Sequence, residues 1–142
     1  MKIKPIVIDE IHTKHTNFIV DLKFDSNITF ITGDSGVGKS AVFTFLEEYS
    51  SEDKRVRCFN YIDHNKGYKN SIRNSKGKLF VIDNADILLN DKIKQHIVFD
   101  NQNQYIIIGR NPSSLLLTQD DIYELESENK DGITYFRLEK VF

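Results

Sequence analysis

The stretch of eight residues that begins at Gly33 constrains the fold of this chain most, because it fits the pattern G-x-x-x-x-G-K-[ST]. It follows an apolar run at residues 28–32 and precedes a helical pattern at residues 41–46. In this setting the glycines let the backbone curl, so that successive N–H groups point at phosphate oxygens. The N-terminus of the following helix attracts the same anion. The motif therefore predicts a phosphate-binding loop, and a glycine-rich turn without a ligand is the alternative.

Each part of this loop has an expected role. Lys39 is expected to reach the β- and γ-phosphates, and the Ser40 hydroxyl is expected to ligate Mg²⁺. The expected phosphate contacts are Gly33, Asp34, Ser35, Gly36, Val37, Gly38, Lys39, Ser40 and Ala41.

The bulk properties favour one soluble domain. The chain has 142 residues, of which 39% are hydrophobic and 28% are charged. No secretory signal is evident and the longest apolar runs have the length of strands, so we expect a cytoplasmic protein that makes no membrane contact. The single cysteine, Cys58, excludes an internal disulfide. We expect residues 1–142 to form a single compact nucleotide-binding domain.

Apolar runs of strand length alternate with helical patterns after residue 28, which indicates an α/β domain with a parallel core sheet. Asp131 and Gly132 predict a hairpin near the C-terminus, and two apolar segments before residue 25 predict an antiparallel pair near the N-terminus. The polar segment 63–77 is expected to be a loop with at most one short helix. Strands are expected at residues 3–8, 16–24, 28–32, 55–62, 79–82, 105–108, 122–125 and 133–141, and helices at residues 40–49, 87–97 and 112–117.

Four apolar residues, 79–82, lead directly into Asp83. Ligands of parallel sheets bind outside the carboxyl ends of the strands, so an aspartate there can hold Mg²⁺ opposite Ser40. Apolar strands also end in aspartates that cap a turn or a helix. The position of Asp83, about 40 residues after the phosphate-loop motif, favours the metal-binding role.

These segments resemble the phosphate-loop NTPases of the ASCE type, with residues 33–40 as the Walker A motif and residues 79–83 as the Walker B motif. Residues 17–24 running into residues 28–33 resemble the opening of the chromosome-maintenance and recombination branch of ABC-type ATPases. The resemblance covers residues 16–47 and 78–112. It implies a three-layer α/β fold with a mostly parallel core sheet and antiparallel strands at the N- and C-termini, with ATP and Mg²⁺ as ligands.

The chain departs from the ABC-type and AAA-type patterns. It has no L-S-G-G-type signature, no glutamine-loop insertion, no long coiled-coil arms and no helical lid. The resemblance therefore implies the fold and nucleotide binding, and does not extend to the ABC dimer cycle.

Four further side chains are candidates for contacts with the attacking water or the γ-phosphate. Asn84 stands where many ATPases carry a glutamate, and an amide cannot accept a proton at neutral pH. Asp86 could act as a base in its place, or could cap the following helix. Arg110 and Asn111 follow an apolar strand where related ATPases place a polar sensor, although Asn111-Pro112 could simply start a turn. We count Lys39, Asp83, Asn84 and Asp86 as the candidate catalytic residues.

The base of the nucleotide is expected to be adenine. In ABC-type domains an aromatic side chain before the phosphate loop stacks on adenine, and Phe18 and His15 lie in that region. Packing in the core is the alternative for Phe18. Tyr68 stands where a guanine-reading motif starting at Asn65 would need an aspartate.

The segment from Lys54 to Lys78 carries eight basic residues and one acid, a net charge of +7 in a chain of net charge −2. Basic residues with interleaved aromatics are typical of nucleic-acid binding. A solvated surface, and contact with a protein partner or a second copy of the chain, are the alternatives. The interleaved aromatics are Phe59, Tyr61 and Tyr68.

Three functions are compatible with these patterns. The first is a weak or partner-stimulated ATPase that acts as a nucleotide switch. The second is a non-hydrolysing ATP-binding accessory subunit of a larger assembly. The third is a small phosphotransferase, which would need a lid rich in arginine that the sequence does not offer.

Overall fold

The structure, a computed structural model, describes residues 4–32, 39–60, 67–113 and 115–141, and for residues 39–41 it describes the backbone alone. Within these ranges, eight strands form one mixed sheet and four α-helices pack against it. The strands are β1 (Glu10–Lys14), β2 (Phe18–Lys23), β3 (Ile28–Thr32), β4 (Val56–Phe59), β5 (Leu79–Ile82), β6 (Gln104–Ile108), β7 (Ile122–Lys130) and β8 (Ile133–Lys140). The helices are α1 (Lys39–Glu52), α2 (Tyr68–Asn74), α3 (Ala85–Leu88) and α4 (Asp91–Phe99).

Five parallel strands form one side of the sheet, in the order β7-β3-β6-β5-β4, with β4 as the last strand. Ile107 of β6 pairs with Phe30 of β3 on one side and with Ile82 of β5 on the other. Strand β8 pairs antiparallel with β7, and β2 and β1 continue the sheet beyond β8. The α/β class and the antiparallel hairpin near the C-terminus are confirmed. An antiparallel pair also forms near the N-terminus, but it uses β1 in place of the expected strand at residues 3–8.

Helices cover both faces of this parallel sheet. On one face, Val81 of β5 and Ile106 of β6 belong to a cluster with Val42 of α1. On the other face, Phe80 and Ile107 belong to a cluster with buried residues of α2, α3 and α4. Strands that are buried on both faces favour apolar side chains, which explains the apolar runs of β5 and of β6 from Tyr105 onward.

The strand expected at residues 3–8 is not present among the described residues of that segment, and β1 begins at Glu10. The backbone of the segment bonds to a side chain instead of a neighbouring strand. The N–H groups of Val7 and Ile8 donate to Gln104 Oε1 over 3.1 and 2.8 Å, and Gln104 Nε2 donates to the Ile8 carbonyl over 2.9 Å. Because these backbone groups find partners in one buried amide, the segment satisfies its hydrogen bonds without joining the sheet.

The expected helix at residues 87–97 is divided into α3 and α4. Asn90 separates them, since its side chain accepts a 2.9 Å hydrogen bond from the Ile93 N–H and so caps α4. The helix expected at residues 112–117 is absent from the described part of that segment, where Leu116 has a φ of 52°. None of the helices in the described ranges has both the length and the apolar character that a membrane crossing requires.

The C-terminal hairpin forms at the turn that the sequence predicts. Asp131 and Gly132 have φ angles of 54° and 81°, and Lys130 pairs with Ile133 across them. Two consecutive residues with positive φ make the tight turn whose twist matches that of the flanking strands. Strand β7 extends to Lys130, five residues beyond its expected end at Leu125.

Candidate functional site

The carboxyl ends of the parallel strands define the edge of the sheet where a ligand is expected. Strand β3 ends at Thr32 and α1 begins at Lys39, so the motif lies between the described parts of β3 and α1. Gly33, Asp34, Ser35, Gly36, Val37 and Gly38 lie outside the described residues. For Lys39, Ser40 and Ala41 the described backbone forms the first turn of α1, and their predicted phosphate and metal contacts stay predictions.

Asp83 lies at this same edge, directly after β5. Its N–H donates to the Phe59 carbonyl over 2.8 Å, which continues the pairing of β5 with β4 by one residue. Its Oδ1 accepts a 2.8 Å hydrogen bond from the Asn84 N–H. Asn84 then has φ 54° and ψ 42°, a left-handed conformation that asparagine tolerates better than most residues and that turns the chain into α3.

The carboxylate of Asp86 binds two backbone N–H groups of the segment that follows β6. It accepts hydrogen bonds from the N–H groups of Arg110 over 2.9 Å and Asn111 over 3.2 Å. It therefore connects the start of α3 to the segment that follows β6, and we call this contact the Asp86 clamp. Asp86 does not cap α3, which has Asn84 at its N-cap position and no side-chain capping bond. A catalytic role for Asp86 stays a prediction.

Gly109 allows the two segments to approach this closely. A Cβ atom at this position would lie 3.3 Å from the Ala85 Cβ and 3.3 Å from the Asp86 Oδ1. The Gly109 N–H donates to the Ile31 carbonyl over 3.1 Å, so the end of β6 is also bonded to β3. Gly109 was not among the residues predicted from the sequence, although a glycine directly after a buried strand is a signal of close backbone approach.

Arg110 and Asn111 occupy the edge in different ways. The Arg110 side chain is exposed and makes no ion pair within the described residues. The Asn111 Oδ1 accepts a 3.0 Å hydrogen bond from the Ser113 N–H, the contact of an asparagine that initiates a turn. This contact supports the interpretation that Asn111 starts a turn. A role of Asn111 in sensing phosphate stays a prediction.

A cluster of half-buried aromatic rings includes both side chains considered for adenine stacking. Phe18 stacks on Phe45 of α1 at a centroid distance of 4.0 Å, and His15 stacks on Phe18 at 4.3 Å. Phe136 of β8 meets the Phe18 ring edge-on at a centroid distance of 6.4 Å, and its ring is tilted against that of Phe45 at 5.9 Å. Phe18 therefore packs against neighbouring rings, which was the alternative to adenine stacking.

In the basic segment, two of the three interleaved aromatic residues, Phe59 and Tyr68, pack in the core, and a role of the segment in nucleic-acid binding stays a prediction. Tyr68 is buried at 2% exposure and Phe59 packs against Tyr68 and Phe80, so these rings belong to the core. Arg55 is bound by Asp53 through a 2.7 Å contact, and the hydrogen bonds from Arg55 lower the pKa of Asp53 to about 2. Tyr61 lies outside the described residues.

Neither a reactive cysteine nor a cluster of metal-binding side chains is found in the described ranges. Burial, followed by the nearby charge of Glu47, raises the pKa of the Cys58 thiol to about 12, so this thiol stays protonated at neutral pH and is a poor nucleophile. No group of three or more His, Cys, Asp and Glu side chains in these ranges is placed to hold a metal ion.

Comparisons with known proteins give little further guidance. No family model matches the chain, and no curated protein matches it. A solved structure of RNase-L Inhibitor is similar over 99% of this chain with 10% sequence identity and a TM-score of 0.48. The chain spans 41% of that protein. A likeness this distant decides neither the family nor the activity of the chain.

Proposed function

We propose that the chain is a single three-layer phosphate-loop domain that binds Mg-ATP. The observation that carries this proposal is the relation between the G-x-x-x-x-G-K-[ST] motif and Asp83. The motif follows β3, Asp83 follows β5, and β6 lies between these two strands and parallel to both. Strands β3 and β5 therefore end at the same edge of the sheet, and we expect the motif and Asp83 to face one site although Lys39 and Asp83 are 44 positions apart in the chain.

The spacing of the strands suits the ligand. Neighbouring strands lie about 4.8 Å apart, so β3 and β5 are separated by roughly 10 Å. That distance leaves room for a phosphate and a hydrated cation between the motif and Asp83. The backbone of residues 33–40 and the Lys39 ammonium would hold the phosphates, while Ser40 and Asp83 would hold the cation. Mg²⁺ prefers oxygen ligands and retains several waters, which a hydroxyl and a single carboxylate accommodate. When bound, the cation would offset the negative charge of the phosphates.

The arrangement favours slow hydrolysis. Asn84 offers an amide where a base would be needed, and amides do not take up protons at neutral pH. The nearest alternative carboxylate, Asp86, has an N–H bonded to each oxygen. The polar atoms of Asn111 and Asp86 are thus directed toward backbone groups within the fold. We propose a weak ATPase that a protein partner or self-association stimulates, so that the γ-phosphate acts as a switch.

A non-hydrolysing ATP-binding module is the second candidate. Asn84 is the specific observation in its favour, because the chain directly after Asp83 lacks the carboxylate that would activate water. Both candidates require the same binding site, and they differ only in turnover.

Binding of ATP, ADP and GTP should be measured by calorimetry with and without Mg²⁺, and phosphate release should be followed in the same samples. Lys39→Ala is expected to weaken ATP binding at least 10-fold, because the ammonium contacts two phosphates. Lys23→Ala is the matched control, since Lys23 is an exposed lysine at the opposite edge of the sheet.

The outcomes separate the candidates. ATP binding that Lys39→Ala removes, with slow phosphate release, supports the switch. The same binding without phosphate release supports the non-hydrolysing module. Equal binding by Lys39→Ala and Lys23→Ala, or no binding of any nucleotide, would overturn both.

A further inference from the structure

A cavity of about 550 Å³ opens at the edge of the sheet opposite Asp83. It lies among the end of α2, one face of α4 from Lys92 to Phe99, and the segment 100–103 that leads into β6, and we call it the amino-edge pocket. The length of a five-residue strand, roughly 16 Å, separates the two edges of the sheet. The pocket is therefore distinct from the proposed nucleotide site, and its size is in the range of small-molecule sites.

A network of hydrogen bonds around the Asp100 carboxylate connects residues that line this pocket. The Asp100 carboxylate, with a side chain 7% exposed, accepts hydrogen bonds from Tyr105 Oη over 2.5 Å, Asn103 Nδ2 over 2.9 Å and the Gln102 N–H over 2.8 Å. Burial, followed by the hydrogen bond to Asp100, raises the pKa of Tyr105, so the phenol keeps its proton and donates it. Asn103 also donates to the Ser75 carbonyl over 2.8 Å. The backbone around the pocket is thus fixed from several directions.

The charge of the lining is positive. Arg73 and Lys92 line the pocket, and neither forms an ion pair within the described residues. Asp100 is the one carboxylate among the residues that line the pocket, and its oxygens already accept the three hydrogen bonds described above. His96 lies 3.7 Å from it. Two cations are therefore available to an anion at the mouth of the pocket.

The rim offers an aromatic face and free amides. Phe99, the last residue of α4, is 74% exposed, and is one of the few large apolar side chains that solvent reaches among the described residues. The side chains of Gln95, Asn101 and Gln102 line the pocket and form no hydrogen bond within the described residues. An exposed ring can stack on a flat ligand, and amides can both donate to and accept from its polar edge.

We propose that the amino-edge pocket binds single-stranded nucleic acid, with a base stacked on Phe99 and flanking phosphates bound by Arg73 and Lys92. A strand of this kind supplies negative charge, a flat aromatic face and hydrogen-bonding edges together, as the pocket requires. An acidic peptide would supply negative charge and backbone hydrogen bonds, but its carboxylates offer no flat aromatic face to Phe99. A duplex keeps its bases stacked inside, where Phe99 cannot reach them.

Fluorescence anisotropy with a labelled oligothymidylate tests this proposal without any nucleoside triphosphate. Phe99→Ala is expected to weaken binding about 5- to 100-fold, the usual effect of losing one stacked base. Arg73→Gln and Lys92→Gln are each expected to weaken binding and to lower the slope of log affinity against log salt concentration by about 0.7. All three side chains are at the surface or rim of the pocket, and circular dichroism would verify that the variants remain folded.

Two controls isolate the pocket from general surface effects. Leu116→Ala removes another strongly exposed apolar side chain, 76% exposed, from the segment after β6. Lys14→Gln removes one exposed positive charge at the opposite edge of the sheet. Both control variants are expected to bind like the wild type. An absence of binding, pocket variants that bind like the controls, or duplex bound as tightly as the single strand would overturn the proposal. None of these results bears on Mg-ATP binding.

Discussion

At the scale of single residues, Gly109 is the position that the packing constrains most closely near the candidate site. A Cβ atom there would meet both Ala85 and Asp86 at 3.3 Å, closer than ordinary van der Waals contact. Gly109→Ala is therefore expected to lower the free energy of unfolding by about 1–3 kcal/mol, the typical effect of overpacking. Urea denaturation would measure the change, with Ser127→Ala on the exposed part of β7 as the control. A Gly109→Ala protein as stable as the control would show that the two segments can separate without loss.

At the scale of secondary-structure elements, the Asp86 clamp joins α3 to the segment after β6. Asp86→Ala removes two hydrogen bonds to a charged acceptor and is expected to lower the free energy of unfolding by about 1–2 kcal/mol, with some loss to solvent screening because Asp86 is exposed. Amide hydrogen exchange should become faster at Arg110 and Asn111, while amides within β6 stay protected. Asp9→Ala is the control, since the Asp9 side chain is exposed and forms no hydrogen bond in the described ranges. Unchanged exchange at Arg110 and Asn111 would contradict the clamp.

At the scale of the whole molecule, protonated side chains distributed across the sheet should make the fold sensitive to high pH. Burial, followed by the charge of Asp25, raises the pKa of Tyr123 to about 12, and burial, followed by the charge of Glu47, raises that of Cys58 to about 12. The folded state therefore keeps protons that the unfolded state loses above pH 9 for Cys58 and above pH 10 for Tyr123. Their stabilisation is complete below those values and decreases up to about pH 12. Each group contributes a slope of up to about 1.4 kcal/mol per pH unit.

Urea unfolding at pH 8, 9, 10 and 11 would measure this decrease. Tyr123→Phe is expected to flatten the decrease above pH 10, and Cys58→Ala is expected to flatten it from pH 9. If both variants lose stability with pH as steeply as the wild type, neither side chain is responsible.

The sequence alone was sufficient for features that depend on residues close together in the chain. The uninterrupted apolar run of Leu79–Ile82 predicted a buried parallel strand, because only a strand covered on both faces excludes polar side chains. Asp131 and Gly132 predicted their hairpin, because two consecutive residues tolerant of positive φ favour that turn. The position of Asp83 at the carboxyl end of its strand follows from the same local pattern.

Tertiary structure alone decided the features that depend on partners far apart in the chain. The segment before β1 is not a strand because Gln104, 96 residues from Ile8, satisfies its backbone groups. Asp86 binds N–H groups 24 and 25 residues away, so no local pattern of capping or catalysis could identify its role. Tyr68 is buried and Phe99 is exposed because of how α2 and α4 pack on the sheet, which residue type does not encode. The hydrophobic periodicity of a segment predicts which of its residues share one face of a helix or strand. It does not predict which residues of distant segments they contact, because those contacts form only when the helices and strands pack together.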